Sequence, residues 1–183
     1  MPIDDREPSV TTTTPTGDRF VLIESDAGFE PRHVEEIRRV AAELGVDLVD
    51  RIQAADDAVT YLVLDAVAEI DAVRGAVASR GIPTRSVSIV HLVGDRPGAD
   101  DPGYLVEWDL PEGLDMETYL ARKATRAPIY DTLDDVAFRR TYVREDMEKC
   151  LCLYDGGCEE DVIEARSAVD TPIDRLHHLG GSS

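Results

Sequence analysis

The chain has 183 residues, 43% of them hydrophobic, and a formal net charge of −19. That is enough apolar material for one domain or two small ones sharing a core, which excludes wholesale disorder. Its 5% aromatic content excludes a large base-stacking surface, and no apolar run approaches the roughly 20 residues of a membrane span.

Residues 1–18 are rich in Pro, Thr and Asp without periodicity and are expected to form a disordered leader. A first repeat is expected over residues 19–94. It opens with an apolar strand at 20–26 carrying Glu24 and Asp26, and continues into a helix with Val34, Ile37, Val40, Ala41 and Leu44 at helical spacing, stopped by Gly45. Strands follow at 46–52 and 60–64, then a helix at 69–79 and a strand at 86–93. Residues 95–103, dense in Gly, Pro and Asp, read as a linker.

The second repeat, 104–179, has the same order of elements. A strand from Tyr104 carries Glu107 and Asp109, and a helix capped by Asp115 places Met116, Leu120 and Ala124 on one face. Strands at 138–143 and 150–154, a helix at 159–168 and a strand at 175–179 complete it, ahead of a flexible tail at 180–183. Twice β-α-β-β-α-β is the ferredoxin-like unit, α+β in class, with all helices on one sheet face. Two copies can cover each other's bare faces, packing sheet to sheet as an internal pseudo-dimer, a dimeric α/β barrel.

The acidic excess repels phosphate, so neither nucleic acid nor an anionic membrane is an expected partner. Lys123 and Lys149 are the two lysines among 19 basic residues. Excess carboxylate with so little lysine is the composition of a protein adapted to high salt, where screening relieves self-repulsion. The alternative is a cationic partner. Three clustered cysteines, Cys150, Cys152 and Cys158, make a poor disulfide framework, and the N-terminus lacks a secretory layout, so a reducing cytoplasm is the expected location.

Several side chains could carry chemistry. A carboxylate in a sheet, as at Glu107, is costly unless it is paired or ligating. It reads either as a ligand or acid/base position or as the partner of an arginine, Arg140 or Arg175. If the strand register allows, Glu107, Cys152 and Tyr154 share a sheet face. Cys150 and Cys152 point to one side of their strand and could grip a soft metal ion, or serve as small hydrophobes. His177 and His178 face opposite ways, so one of them could reach such a site. Cys158, near a helix start, has the position of a reactive thiol or of an exposed loop residue. There is no phosphate-binding glycine loop, G-x-S-x-G or H-E-x-x-H.

The second repeat resembles a family of small ferredoxin-like, dimeric α/β-barrel-type domains of unknown function, with members described as nickel-binding. The likeness rests on Tyr104-Leu105-Val106-Glu107 with Leu110-Pro111, Thr141-Tyr142-Val143, Cys150-Leu151-Cys152-Leu153-Tyr154-Asp155, Glu159-Glu160-Asp161-Val162 and Pro172-Ile173-Asp174-Arg175. The first repeat shares only the skeleton. Where many members carry a His in the second helix, this chain reads Glu164-Ala165-Arg166-Ser167. The resemblance implies a small-molecule or metal partner, nickel as cofactor, and homo-oligomerisation as one outcome. Taken with the residue chemistry above, the candidate site residues are Glu107, Cys152, His177 and His178 for metal and Glu107, Tyr142 and Tyr154 for a ligand. The alternatives are an oxygenase- or isomerase-like enzyme, with Glu107 as base and Tyr142 or Tyr154 as proton donor, and a non-catalytic interaction module.

Overall fold

A computed structural model describes residues 18–25, 27–65, 69–98 and 101–180. The expected leader before Asp18 and tail beyond Gly180 lie outside the described residues, as do Ala99 and Asp100 of the expected linker. The elements run β1 (Arg19–Ser25), α1 (Pro31–Glu43), β2 (Leu48–Gln53), β3 (Thr60–Asp65), α2 (Ile70–Ser79) and β4 (Ser86–Gly94). Then come β5 (Tyr104–Asp109), α3 (Met116–Tyr130), β6 (Val136–Arg144), β7 (Lys149–Gly156), α4 (Glu159–Ala168) and β8 (Arg175–His178). Local signals behave as their chemistry demands. Asp115 accepts a hydrogen bond from the Thr118 amide at 2.7 Å to cap α3, and Gly45 takes a φ of +69° just after α1.

The strands are ordered β2-β3-β1-β4-β6-β7-β5-β8, so each repeat has the ferredoxin-like arrangement and the two join edge to edge. β4 pairs antiparallel with β6, from Val90 opposite Arg144 to Gly94 opposite Arg140. The outer edges also meet: Ala54 bridges Leu179, the Ala55 amide donates to the His178 carbonyl at 2.8 Å, and the Gly180 amide donates to the Gln53 carbonyl at 3.1 Å. The sheet thus closes into the expected α/β barrel, and the two sheets are joined along both seams as well as facing across the core. Closure pairs the edge amides and carbonyls that two separate sheets would leave exposed.

Alternation along each strand divides the apolar residues into three cores. The barrel interior holds Phe20, Leu22, Tyr61, Val63, Val90, Leu105, Tyr142, Leu151 and Leu153. Beneath α1 and α2 the core is built on Val21, Ile23, Ile37, Leu62, Leu64 and Val73. Beneath α3 and α4 it differs, with Cys150, Cys152, Tyr119, Tyr154 and Trp108 in place of aliphatics. Tyr119 is the one fully buried residue of the fifteen in α3. The second repeat therefore covers its sheet less completely than the first.

Candidate functional site

Glu107 faces the barrel interior, where it is 3% exposed. Arg175 Nε donates to its Oε2 at 2.8 Å, and His177 Nε2 lies 2.9 Å from its Oε1. Lys149 Nζ donates to the same carboxylate at 3.4 Å and to Glu24 Oε1 at 2.9 Å. Glu24, 2% exposed, also accepts from the Tyr61 hydroxyl at 3.3 Å and the Ser86 hydroxyl at 2.9 Å. Burial raises the Glu107 pKa, but the hydrogen bonds from His177 and Arg175 and the Lys149 charge outweigh it and bring it down to about 2. The arginine-paired alternative for Glu107 is the one realised, with Arg175 as the arginine. Every oxygen of this carboxylate is occupied, so it is a structural tie between repeats: Glu24 on β1 and Glu107 on β5 are equivalent strand positions, and one ammonium joins them.

The shared face expected for Glu107, Cys152 and Tyr154 does not form. β5 and β7 pair with Val106 opposite Cys152 and Glu107 opposite Leu151, and directly opposed residues share a face. Cys152 and Tyr154 therefore point outward, under α3 and α4, with Trp108 and Cys150. His177 and His178 do face opposite ways. His178 is exposed and packs edge-on against Tyr104, with ring centroids 5.2 Å apart. Tyr142 lies inside the barrel, but its hydroxyl donates to Asp50 Oδ2 at 2.7 Å rather than to Glu107, and Arg140 Nε donates to the same oxygen at 3.0 Å. Burial, then the Asp50 charge, raises the Tyr142 pKa, so it is a poor proton donor at neutral pH.

The outward cluster of the second repeat is the denser in chemistry. Cys150 and Cys152 sulfurs lie 3.8 Å apart. Thr141 Oγ1 stands 3.2 Å from Cys152 Sγ, and Arg166 Nη1 reaches that sulfur at 3.5 Å and the Tyr154 hydroxyl at 3.4 Å. The Tyr130 and Tyr154 hydroxyls are hydrogen-bonded at 2.9 Å. The Cys150 hydrogen bond draws the Cys152 pKa well down; burial opposes this, and Lys123 and Arg166 reinforce it. Cys150 is correspondingly driven up. Cys158 caps α4 in the open; the hydrogen bond from the Asp161 backbone lowers its thiol pKa, but the Asp161 side chain, desolvation and the Glu160 side chain together leave it raised, against the reactive reading of its helix-start position.

Beside this cluster is a cavity of about 30 Å³ lined by Trp108, Tyr119, Arg122, Lys123, Arg126, Tyr130, Arg166, Val169 and Thr171. Four cationic side chains and no carboxylate line it, in a chain with twice as many acids as bases. The arginines are held from behind by carbonyls at the end of α4: Arg122 donates to Asp170, Arg126 to Val169 and Arg166 to Pro172. Arg166 is 3% exposed, and its Nε has no hydrogen-bond partner. Lys123 Nζ lies 3.8 Å from the Phe138 ring centroid.

Residues 104–179 match the family described as Nickel responsive protein SCO4226-like. The matched segment spans β5 to β8 and so contains both Glu107 and the basic cavity. No curated protein matches the chain. Among solved structures, the siroheme decarboxylase NirDL aligns with a TM-score of 0.48 and 11% identity over 90% of this chain and 71% of that one. An anthrone oxidase-like protein aligns with a TM-score of 0.42 and 9% identity over 89% and 92%. A protein from Lactobacillus acidophilus NCFM with a provisional monooxygenase description gives 0.48 and 10% over 89% and 93%.

The residues present do not fit a nickel ion at one place. Of the four expected ligands, Glu107 and His177 meet inside the barrel, Cys152 lies on the other sheet face, and His178 is outside. Among the described residues no group of three His, Cys, Asp or Glu side chains is spaced to hold a metal. The Cys150–Cys152 pair adjoins Lys123 and Arg166, whose charges oppose a cation. Among the described residues no helix is long and apolar enough to cross a membrane.

The sequence reading missed Lys149, Lys123, Arg166 and Asp50. Lys149 was findable: stepping back by twos from Leu153 and Leu151 puts a rare lysine on the barrel face, diagonal to the costly Glu107. Arg166 was not, because exposed helical arginines look alike until the loop at 169–172 closes over one of them.

Proposed function

We propose that this protein binds a small anion in the basic cavity of its second repeat, as a binding or sensing protein. One observation carries the reading: Arg166, almost wholly buried and with an Nε that lacks a partner among the described residues, lines a cavity whose described wall holds four cationic side chains and no acid. An unpaired buried donor is costly, and a bound acceptor removes the cost. The carbonyl anchors fix the guanidinia before binding, so little side-chain entropy remains to be lost. The cavity holds about two water-sized groups, which suits a compact oxyanion or one charged end of a larger molecule. An open groove of about 690 Å³ shares Trp108, Arg122 and Thr171 with it and offers room for such a body.

Trp108 is the sole tryptophan and lines the cavity, so its fluorescence reports occupancy. Untagged protein is titrated with nitrate, bicarbonate and inorganic phosphate at constant ionic strength. Saturable quenching by at least one of them, weakened about tenfold or more in Arg126→Gln, is expected. Absence of saturation with all three refutes the proposal. The nickel reading rests on the family match and is tested in parallel with nickel sulfate. One tightly bound equivalent, lost in Cys150→Ser/Cys152→Ser, would establish it instead.

A further inference from the structure

We infer that Cys152 is a peroxide-reactive thiol and Cys150 its resolving partner, beneath the basic cavity. The pair lies on adjacent outward positions of β7, with sulfurs 3.8 Å apart. Its surroundings are not those of inert core cysteines. A hydroxyl and a guanidinium reach Cys152 Sγ, at 3.2 Å from Thr141 and 3.5 Å from Arg166. Thr141 Oγ1 also stands 2.8 Å from the Leu151 carbonyl, so its single proton can turn from that oxygen to an ionised sulfur. The equivalent face of the first repeat has no thiol pair: Thr60 and Leu62 stand where Cys150 and Cys152 do.

Arg166 stands between the thiol and the outside: the side chain that touches Cys152 also lines the 30 Å³ cavity. Hydrogen peroxide, two heavy atoms in size, fits that volume. The chemistry balances without a metal. The Cys152 thiolate attacks one peroxide oxygen, the O–O bond breaks, and the sulfur is oxidised by two electrons to a sulfenic acid. The departing hydroxide takes a proton from solvent through the cavity and leaves as water, with Arg166 stabilising the charge that develops on it. The Cys150 thiol then attacks the sulfenic sulfur, forming the disulfide and releasing a second water. A low-molecular-weight thiol returns the pair to its starting state by exchange. The inference uses the basic cavity as an entrance and does not depend on an anion residing there.

The test compares oxidation rates in one protein, in a Cys158→Ser background that removes the exposed thiol. Folded and guanidinium-unfolded chains are treated with equimolar hydrogen peroxide at pH 7 and followed by intact mass. The folded chain is expected to lose 2 Da, and at least tenfold faster than the unfolded chain, because unfolding removes Arg166 and Thr141 from the sulfur. In Cys150→Ser the sulfenic acid should persist and be trapped by dimedone at Cys152, while Cys152→Ala should take no dimedone. Arg166→Met should slow the reaction by tenfold or more with anion-induced quenching read separately. Folded-state oxidation slower than in the unfolded chain would overturn the inference, as would dimedone labelling at Cys150 or a sulfenic acid that persists with Cys150 present. Circular dichroism of each variant confirms that slow reaction is not unfolding.

Discussion

Lys149→Met tests whether one ammonium holds the two repeats together. In the folded chain Lys149 donates to Glu24 at 2.9 Å and to Glu107 at 3.4 Å, with both carboxylates almost wholly buried. Methionine matches the stem but carries no charge. Glu107 keeps Arg175 and His177 and loses little. Among the described residues Glu24 keeps the Tyr61 and Ser86 hydroxyls and the weaker charge of Arg144, so one buried carboxylate loses its hydrogen-bonded cation. Removing one partner of a buried pair costs about 3–5 kcal/mol. With one of two carboxylates still compensated, the lower end applies, about 3 kcal/mol, or roughly 6–12 °C in Tm for a chain of this size. The assay is urea and thermal unfolding of wild type, Lys149→Met, Glu24→Gln and the double variant. Neutral glutamine can still bond both hydroxyls, so the double variant should recover more than half of the loss. A Lys149→Met cost under 1 kcal/mol, or a double variant as unstable as the single, would refute the reasoning.

Other perturbations probe the same picture. Glu107 is held at about 2 when folded against an ordinary 4.5, so its contribution, about 3 kcal/mol, is complete above pH 4.5 and lost as pH falls toward 2. The stability difference between wild type and Glu107→Gln should therefore shrink across that window in acid melts. Gly94→Ala should cost roughly 2–3 kcal/mol in urea unfolding, because φ is +105° and the new Cβ would lie 2.6 Å from the Arg139 carbonyl oxygen on the β4–β6 seam. Raising NaCl from 0.1 M to 2 M should raise Tm, since self-repulsion among the excess acids is screened; a flat or falling Tm argues against adaptation to salt.

Much of the architecture was legible in the chain itself. The period-two and period-3.6 patterns, the stop at Gly45 and the cap at Asp115 are local, and each acts through its own backbone. The duplicated order β-α-β-β-α-β was readable for the same reason, and so was the opposition of His177 and His178, because alternation along a strand requires no partner. Which face of one strand matches which face of its neighbour is a different matter. Glu107 and Cys152 lie 45 residues apart in the chain, and a one-residue change of register moves a whole set of side chains to the other face. The pairing of Val106 with Cys152 put the carboxylate in the barrel and the thiols under the helices. Edge-to-edge closure likewise let Lys149 join Glu24 to Glu107. The docking of α3 over the end of α4 turned dispersed basic residues into one cavity wall. Those outcomes depend on packing between segments distant in sequence, and only the folded chain sets them.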